Sequence, residues 1–206
     1  MTRAGRRPGT RRRGGPGLDE FARRFGEFPC GAAVKTGEQL QAALRGRAGV
    51  VFILRGNGLE LAATVRRIHG AGKLAAVHVD LVDGLTSDIS GVRWLVRAGA
   101  DAIISSHGQA VRAVRAEGLV AIQRLLCISR EAIDLGLGAV QRAEPDIVEL
   151  LPGVILPEVA HLVLPYLAAP LLAGGFIRDR EDARRALAAG AMAVTTSEET
   201  LWASGW

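Results

Sequence analysis

The sequence predicts a compact (β/α)8 barrel of the TIM type, and three observations carry that prediction. After residue 26, eight short apolar runs alternate with helical patterns at intervals of about 20–27 residues. The runs are continuously apolar rather than alternating, as expected of strands covered outside by helices and filled inside by their neighbours. The last two runs each end in a turn suited to an anion, the arrangement found after the final strands of such barrels. A doubly wound open sheet is the alternative; the paired turns at the C-terminal end favour closure.

The expected strands are Gly31–Val34, Val50–Leu54, Leu74–Val79, Ala102–Ser105, Val120–Gln123, Asp146–Leu150, Pro170–Leu172 and Met192–Thr195. Between them, Leu61, Thr64, Val65 and Ile68 share one helix face at i, i+3, i+4, i+7 spacing, as do Ala183, Ala186, Leu187 and Gly190. Gly70-Ala71-Gly72, Ala98-Gly99-Ala100 and Ala189-Gly190-Ala191 stop helices just before the next strand. Residues 27–206 are therefore read as one barrel domain.

The chain has 206 residues and a net charge of +5, unevenly placed. Residues 1–26 hold eight arginines against Asp19 and Glu20, for +6, while residues 27–206 sum to −1. A stretch so rich in Gly, Pro and Arg is expected to be disordered. It can touch nucleic acid through phosphates, although two lysines against 24 arginines also point to a coding bias. The Arg-rich start has no apolar h-region and no transmembrane helix is expected, so the expectation is a cytoplasmic protein with no membrane partner. Cys30 and Cys127 lie in apolar surroundings without metal spacing and read as reduced core thiols.

Ligands of barrels bind where strands end, so the polar residues there are the candidates. The most informative are Ala173-Gly174-Gly175-Phe176-Ile177-Arg178 and Thr195-Thr196-Ser197. Paired glycines let backbone amides approach a phosphate, and a following helix adds its positive dipole end. Elsewhere, strand three ends in His78-Val79-Asp80, strand four in Ser105-Ser106-His107, strand five in Gln123-Arg124 and strand six in Glu149. Asp80 and Glu149 can accept hydrogen bonds from ligand hydroxyls, and Arg124 or Lys35 can balance a phosphate. The alternative reading of the same groups is a buried structural network in which Asp80 and Glu149 pair with Arg124. His78 points to the same face as Asp80, and His107 is placed to face the site. No serine triad, zinc spacing or Walker loop is present, and a Schiff-base aldolase would need a lysine in the barrel mouth, where only Lys35 is eligible. Proton transfer between Asp80 and Glu149 keeps an isomerase or lyase open as the alternative.

Several strings resemble the glycerol-3-phosphate-responsive antiterminator family: His78-Val79-Asp80-Leu81, Asp83-Gly84-Leu85, Ala121-Ile122-Gln123-Arg124-Leu125 and Glu149-Leu150-Leu151-Pro152-Gly153. The resemblance continues through Ala173-Gly174-Gly175-Phe176-Ile177 and Ala193-Val194-Thr195-Thr196-Ser197 to Leu201-Trp202. It implies a regulator rather than an enzyme, with no cofactor, whose effector is glycerol 3-phosphate and whose partner is the leader mRNA of glycerol-utilisation genes. By resemblance, Gly174, Gly175, Thr196 and Ser197 hold the phosphate, and Asp80, Gln123 and Glu149 face the glycerol, with Arg124 in either role. Ser105-Ser106-His107, Asn57 and Thr86 depart from the family pattern. For RNA, Arg178, Arg180, Arg184 and Arg185 around the helix beside the phosphate turn are the candidate contacts, with a solvated helix face as the plainer reading. A homo-oligomer is compatible with the sequence and not required by it.

Overall fold

The computed structural model describes residues 17–203. The expectation for residues 1–16 lies outside the described residues. In chain order the elements are α1 (Leu18–Glu27), β1 (Cys30–Val34), α2 (Gly37–Arg45), β2 (Val50–Ile53), β3 (Gly56–Asn57) and α3 (Gly58–Gly70). Next come β4 (Leu74–His78), β5 (Val82–Asp83), α4 (Ile89–Arg97), β6 (Ala102–Ser105), α5 (Gly108–Ala116), β7 (Val120–Leu126) and α6 (Arg130–Ala143). The last are β8 (Ile147–Leu151), α7 (Leu156–Val163), β9 (Leu171–Gly174), α8 (Arg180–Ala188), β10 (Ala193–Thr196) and α9 (Glu199–Ala203).

Eight strands close in the order β1-β10-β9-β8-β7-β6-β4-β2, with every ladder parallel. These are the eight runs expected from the sequence, with no end shifted by more than three residues and β6 matching at both ends. The largest shift is in β7, which continues to Leu126 in register with β8. The two-residue strands β3 and β5 form a separate ladder above β2 and β4 that the sequence pattern did not announce. Gly72, Gly99 and Gly190 all take left-handed φ values at the helix stops.

Strand alternation sorts the core into two layers. Val51, Ile53, Val77, Ile103, Leu125, Val148 and Leu150 face the helices and meet Leu61, Val65, Leu95, Val111 and Ile133. Ala33, Val50, Phe52, Ala76, Ile104, Val120, Ile122, Ile147, Leu172 and Ala193 fill the barrel interior.

That inner layer includes Phe21 and Phe25 of α1, which corrects the expected boundary at 27: the folded domain already includes the helix from Leu18, so residues 18–26 are not part of a disordered tail. Both phenylalanines are buried, and the Phe25 ring stacks 6.4 Å from that of Phe52. Arg24 donates to the Gly72 carbonyl at 2.8 Å, fixing α1 across the N-terminal end of the barrel. Leu18, Phe21, Phe25 and Phe28 lie at helical spacing, a signal masked when charge is averaged over all 26 residues. The opposite end stays open, and it carries the site.

Candidate functional site

At the C-terminal ends of the strands lies a cavity of about 920 Å³. Lys35, Arg55, Asp80, Asp83, Arg124 and Glu149 supply charge to it, and Gly175, Phe176, Thr196 and Ser197 form one wall. Two turns expected to cradle a phosphate thus face the same space. β9 and β10 are paired neighbours in the barrel, with Ala173 opposite Val194 and Gly174 opposite Thr195. Past β9 the chain turns through Gly175 (φ +84°) and Phe176 (φ +59°). A left-handed pair of this kind can direct successive backbone amides to one side, as anion-binding turns do. Phe176 pays some conformational energy for its positive φ while leaving its side chain exposed. The Thr196 hydroxyl donates to the Ile177 carbonyl at 2.6 Å and accepts from the Glu198 amide at 3.1 Å, tying the two turns together.

The helix contribution expected behind the first turn is not placed there. Asp179 caps α8 by accepting from the Asp182 amide, and the Asp182 carboxylate accepts from the Arg178 amide. Carboxylates therefore already occupy that helix start, and the turn itself is what faces the cavity.

Beneath the turns sits a buried ionic pair. Arg124 on β7 donates through Nε (3.1 Å) and Nη2 (3.0 Å) to Glu149 Oε2 on the adjacent β8, where the two residues are register partners. Their side chains are 13% and 3% exposed. Glu149 Oε1 accepts from Thr195 Oγ1 at 2.8 Å, so both carboxylate oxygens are satisfied. Gly174 lies directly under this arrangement. A Cβ at that position would come within 2.5 Å of Thr195 Oγ1 and 2.8 Å of Glu149 Oε1. Its role is to leave room for the pair; it does not line the cavity.

Asp80 is a second hub. Its Oδ1 accepts from the hydroxyls of Ser87 and Ser105, both at 2.7 Å, and its Oδ2 from the Ser106 amide at 2.8 Å. Burial works against its charge, but the Ser106 amide and the two serine hydroxyls outweigh burial and hold the carboxyl below its ordinary value. His107 Nδ1 is 3.4 Å from Asp80 Oδ1, but the side chain is largely exposed and does not line the cavity. His78 is buried, and neither ring nitrogen has a hydrogen-bond partner among the described residues. Burial, reinforced by the nearby Arg124 charge, pushes its pKa down to about 4, so the ring is neutral near pH 7.

Two further expectations need correction. Gln123 does not face the cavity: alternation along β7 puts it on the side of Ala121 and Leu125, in the layer between strands and helices, whereas Ile122 and Arg124 face inward. The candidate RNA arginines on and before α8 do not form an uncompensated patch. Arg185 pairs with Glu158 at 2.8 Å, Arg184 with Glu181 at 3.6 Å and Arg178 with Asp182 at 3.9 Å. Arg180 opens the same acidic helix turn, beside Glu181 and Asp182. Arg178 alone of the four lines the cavity.

Sequence reasoning also missed residues. Thr195 as the partner of Glu149, and Ser87 as a partner of Asp80, become visible only when strands and loops are assembled, although the two-residue step from inward Ala193 to Thr195 was a usable signal. Lys73 sits at the far end, as expected, donating to the Gly46 and Ala48 carbonyls at 2.6 and 2.7 Å. Cys30 and Cys127 are buried free thiols. Among the described residues no cluster of three or more His, Cys, Asp or Glu could hold a metal, and no helix is long and apolar enough to cross a membrane.

The family model described as glycerol-3-phosphate responsive antiterminator matches residues 31–202. Among solved structures, the glycerol uptake operon antiterminator regulatory protein of Listeria monocytogenes superposes with a TM-score of 0.82 at 32% identity, over 86% of this chain and 96% of that one. The uncharacterized Escherichia coli protein YgcP is 35% identical over 175 residues, covering 84% of this chain and 91% of the relative. The tetrameric deoxyribose phosphate aldolase of Aeropyrum pernix matches with a TM-score of 0.62 at 15% identity, over 90% of this chain and 94% of that one, a likeness of fold alone.

Proposed function

The chain belongs to the glycerol-3-phosphate responsive antiterminator family, and from that premise we propose that its cavity senses glycerol 3-phosphate and reports occupancy to leader mRNA of glycerol-utilisation genes. One observation carries the reading: both anion-type turns of the family strings, Gly175–Phe176 and Thr196–Ser197, open on one cavity that also holds Arg124, Glu149 and Asp80. In this reading the phosphate lies between the two turns, and the glycerol carbons extend towards the carboxylates. The Thr196 hydroxyl, already bonded to the Ile177 carbonyl, keeps the turns at a fixed separation, so a dianion bridging them orders both at once. Ordering of loops by a ligand is a physical means of biasing a second surface. The regulator would act in the cytoplasm, as a monomer or a homo-oligomer, without a cofactor.

Several features support sensing over conversion. Glu149 is engaged by Arg124 and Thr195, and the three donors on Asp80 hold its carboxyl below the ordinary value, which makes it a weaker base. Lys73 is buried at the opposite end, where burial lowers its pKa, and Lys35 is exposed at the mouth. A lysine desolvated inside the barrel, as a Schiff-base aldolase requires, is therefore missing. Isothermal titration with glycerol 3-phosphate against inorganic phosphate tests the ligand: preferential binding of the former supports it, and no heat with either removes it. Retention of labelled leader RNA on a gel, raised by glycerol 3-phosphate, tests the partner. Turnover of a triose or sugar phosphate that disappears in Asp80→Asn would instead establish the enzyme.

A further inference from the structure

A second concavity, of about 220 Å³, lies beside the main cavity between the starts of α2 and α3. Three cations line it: Lys35 after β1, Arg55 after β2 and Arg67 on α3. All three are exposed, and none forms an ion pair among the described residues. Glu60 is the one carboxylate in its wall, so cations outnumber anions three to one. This contrasts with α8, whose arginines meet Glu158, Glu181 and Asp182. Thr36 and Asn57, also in the wall, are engaged in capping α2 and α3, which holds both helix starts at the groove and adds their partial positive charge. Charged side chains near a concave, low-dielectric wall concentrate counter-ions there.

Lys35 and Arg55 line both cavities. An anion in the groove and a ligand in the barrel mouth would therefore meet the same two side chains from opposite sides. Resting on the RNA-directed reading above, we infer that this groove takes the backbone phosphates of the leader RNA, and that Lys35 and Arg55 couple it to glycerol 3-phosphate. An unpaired Lys or Arg loses considerable rotamer freedom when it is fixed on a phosphate. A ligand that has already ordered the two side chains lowers that loss for the RNA, which gives positive coupling without any change of fold. The chemistry recognised is the phosphodiester, read as charge and not as sequence, so base selection must come from elsewhere on the molecule.

The decisive variants sit in the groove and outside the main cavity: Arg67→Glu and, independently, Thr64→Glu. Binding of a labelled run-off transcript of the glycerol kinase leader from the source genome is measured between about 50 and 200 mM salt, with and without glycerol 3-phosphate. Each variant is expected to weaken binding at low salt and to flatten the salt slope by about one unit, while its glycerol 3-phosphate titration and melting stay as in the parent. The paired control Arg184→Gln/Arg185→Gln is expected to keep the parent slope. In Lys35→Gln the fold-enhancement by glycerol 3-phosphate is expected to shrink. Parent-like RNA binding by both groove variants would overturn the groove while leaving the RNA-directed function standing. No retention of RNA by the parent at any salt would remove that function and the groove together. An unchanged slope accompanied by loss of calorimetric pyrophosphate binding would make the groove a small-anion site and also overturn the assignment.

Discussion

Arg124 and Glu149 show how one residue pair sets the geometry of the whole site. Adjacent strands put them in register, and burial makes each dependent on the other. Replacing Arg124 by Met should cost about 3–5 kcal/mol, because a buried carboxylate is left without its counter-charge. The double variant Arg124→Met/Glu149→Gln should recover much of that loss in urea titrations; equal destabilisation of single and double variants would contradict the pairing. His78 offers a second test. Its folded-state pKa of about 4 lies below the ordinary 6.5, so the unfolded chain takes up the proton first on acidification. The stability it contributes is complete above about pH 6.5 and is lost as pH falls towards 4, with a slope of up to about 1.4 kcal/mol per unit. The depressed Asp80 carboxyl acts in the same direction further down. His78→Leu should flatten the pH dependence of the urea midpoint between pH 6.5 and 4 relative to the parent; superimposable profiles would show that this ring does not titrate as inferred.

Among the elements, α1 departs furthest from its sequence impression. A stretch dominated by arginine contains one amphipathic helix whose Phe21 and Phe25 close the floor of the barrel. Its charged face is internally balanced: Arg23 meets Glu20 and Glu27, and Arg24 meets Glu20. Phe21→Ala and Phe25→Ala should each destabilise by about 3–5 kcal/mol, and a chain starting at Phe28 should melt well below the parent by calorimetry. A truncated chain with the parental transition would mean that the floor contributes nothing. In β7, alternation divides neighbouring polar residues between two destinations, with Arg124 towards the cavity and Gln123 under the helices. The α8 arginines make the complementary point. Their spacing suggested a basic face, yet Glu181 and Asp182 of the same helix and Glu158 of α7 neutralise it.

For the whole molecule, eight parallel strands gather loops from distant parts of the chain onto one open end. A ligand held between β9 and β10 should stabilise the folded state without binding the unfolded chain. At about 100 times its Kd, glycerol 3-phosphate should add about 2.7 kcal/mol and raise the melting midpoint by several degrees. The shift should be abolished or greatly reduced in Gly175→Asp, which places negative charge and bulk beside the proposed phosphate, and should be partly retained in Gly175→Asn, which shares the backbone demand without the charge. Equal shifts in the parent and in Gly175→Asp would move the ligand away from this turn.

The barrel, the placement of its strands to within a few residues and the two turns at its C-terminal end were all legible in the chain before folding. Those features depend on apolar periodicity and glycine spacing, which are local properties of the chain. Three-dimensional assembly was needed to reveal that Glu149 is shared between Arg124 and Thr195, that Asp80 is caged by three donors, that Gln123 is turned away, and that Lys35, Arg55 and Arg67 converge. Each of these depends on which strands become neighbours and on which face a residue emerges. A shift of one residue in register would reverse that face while leaving composition untouched.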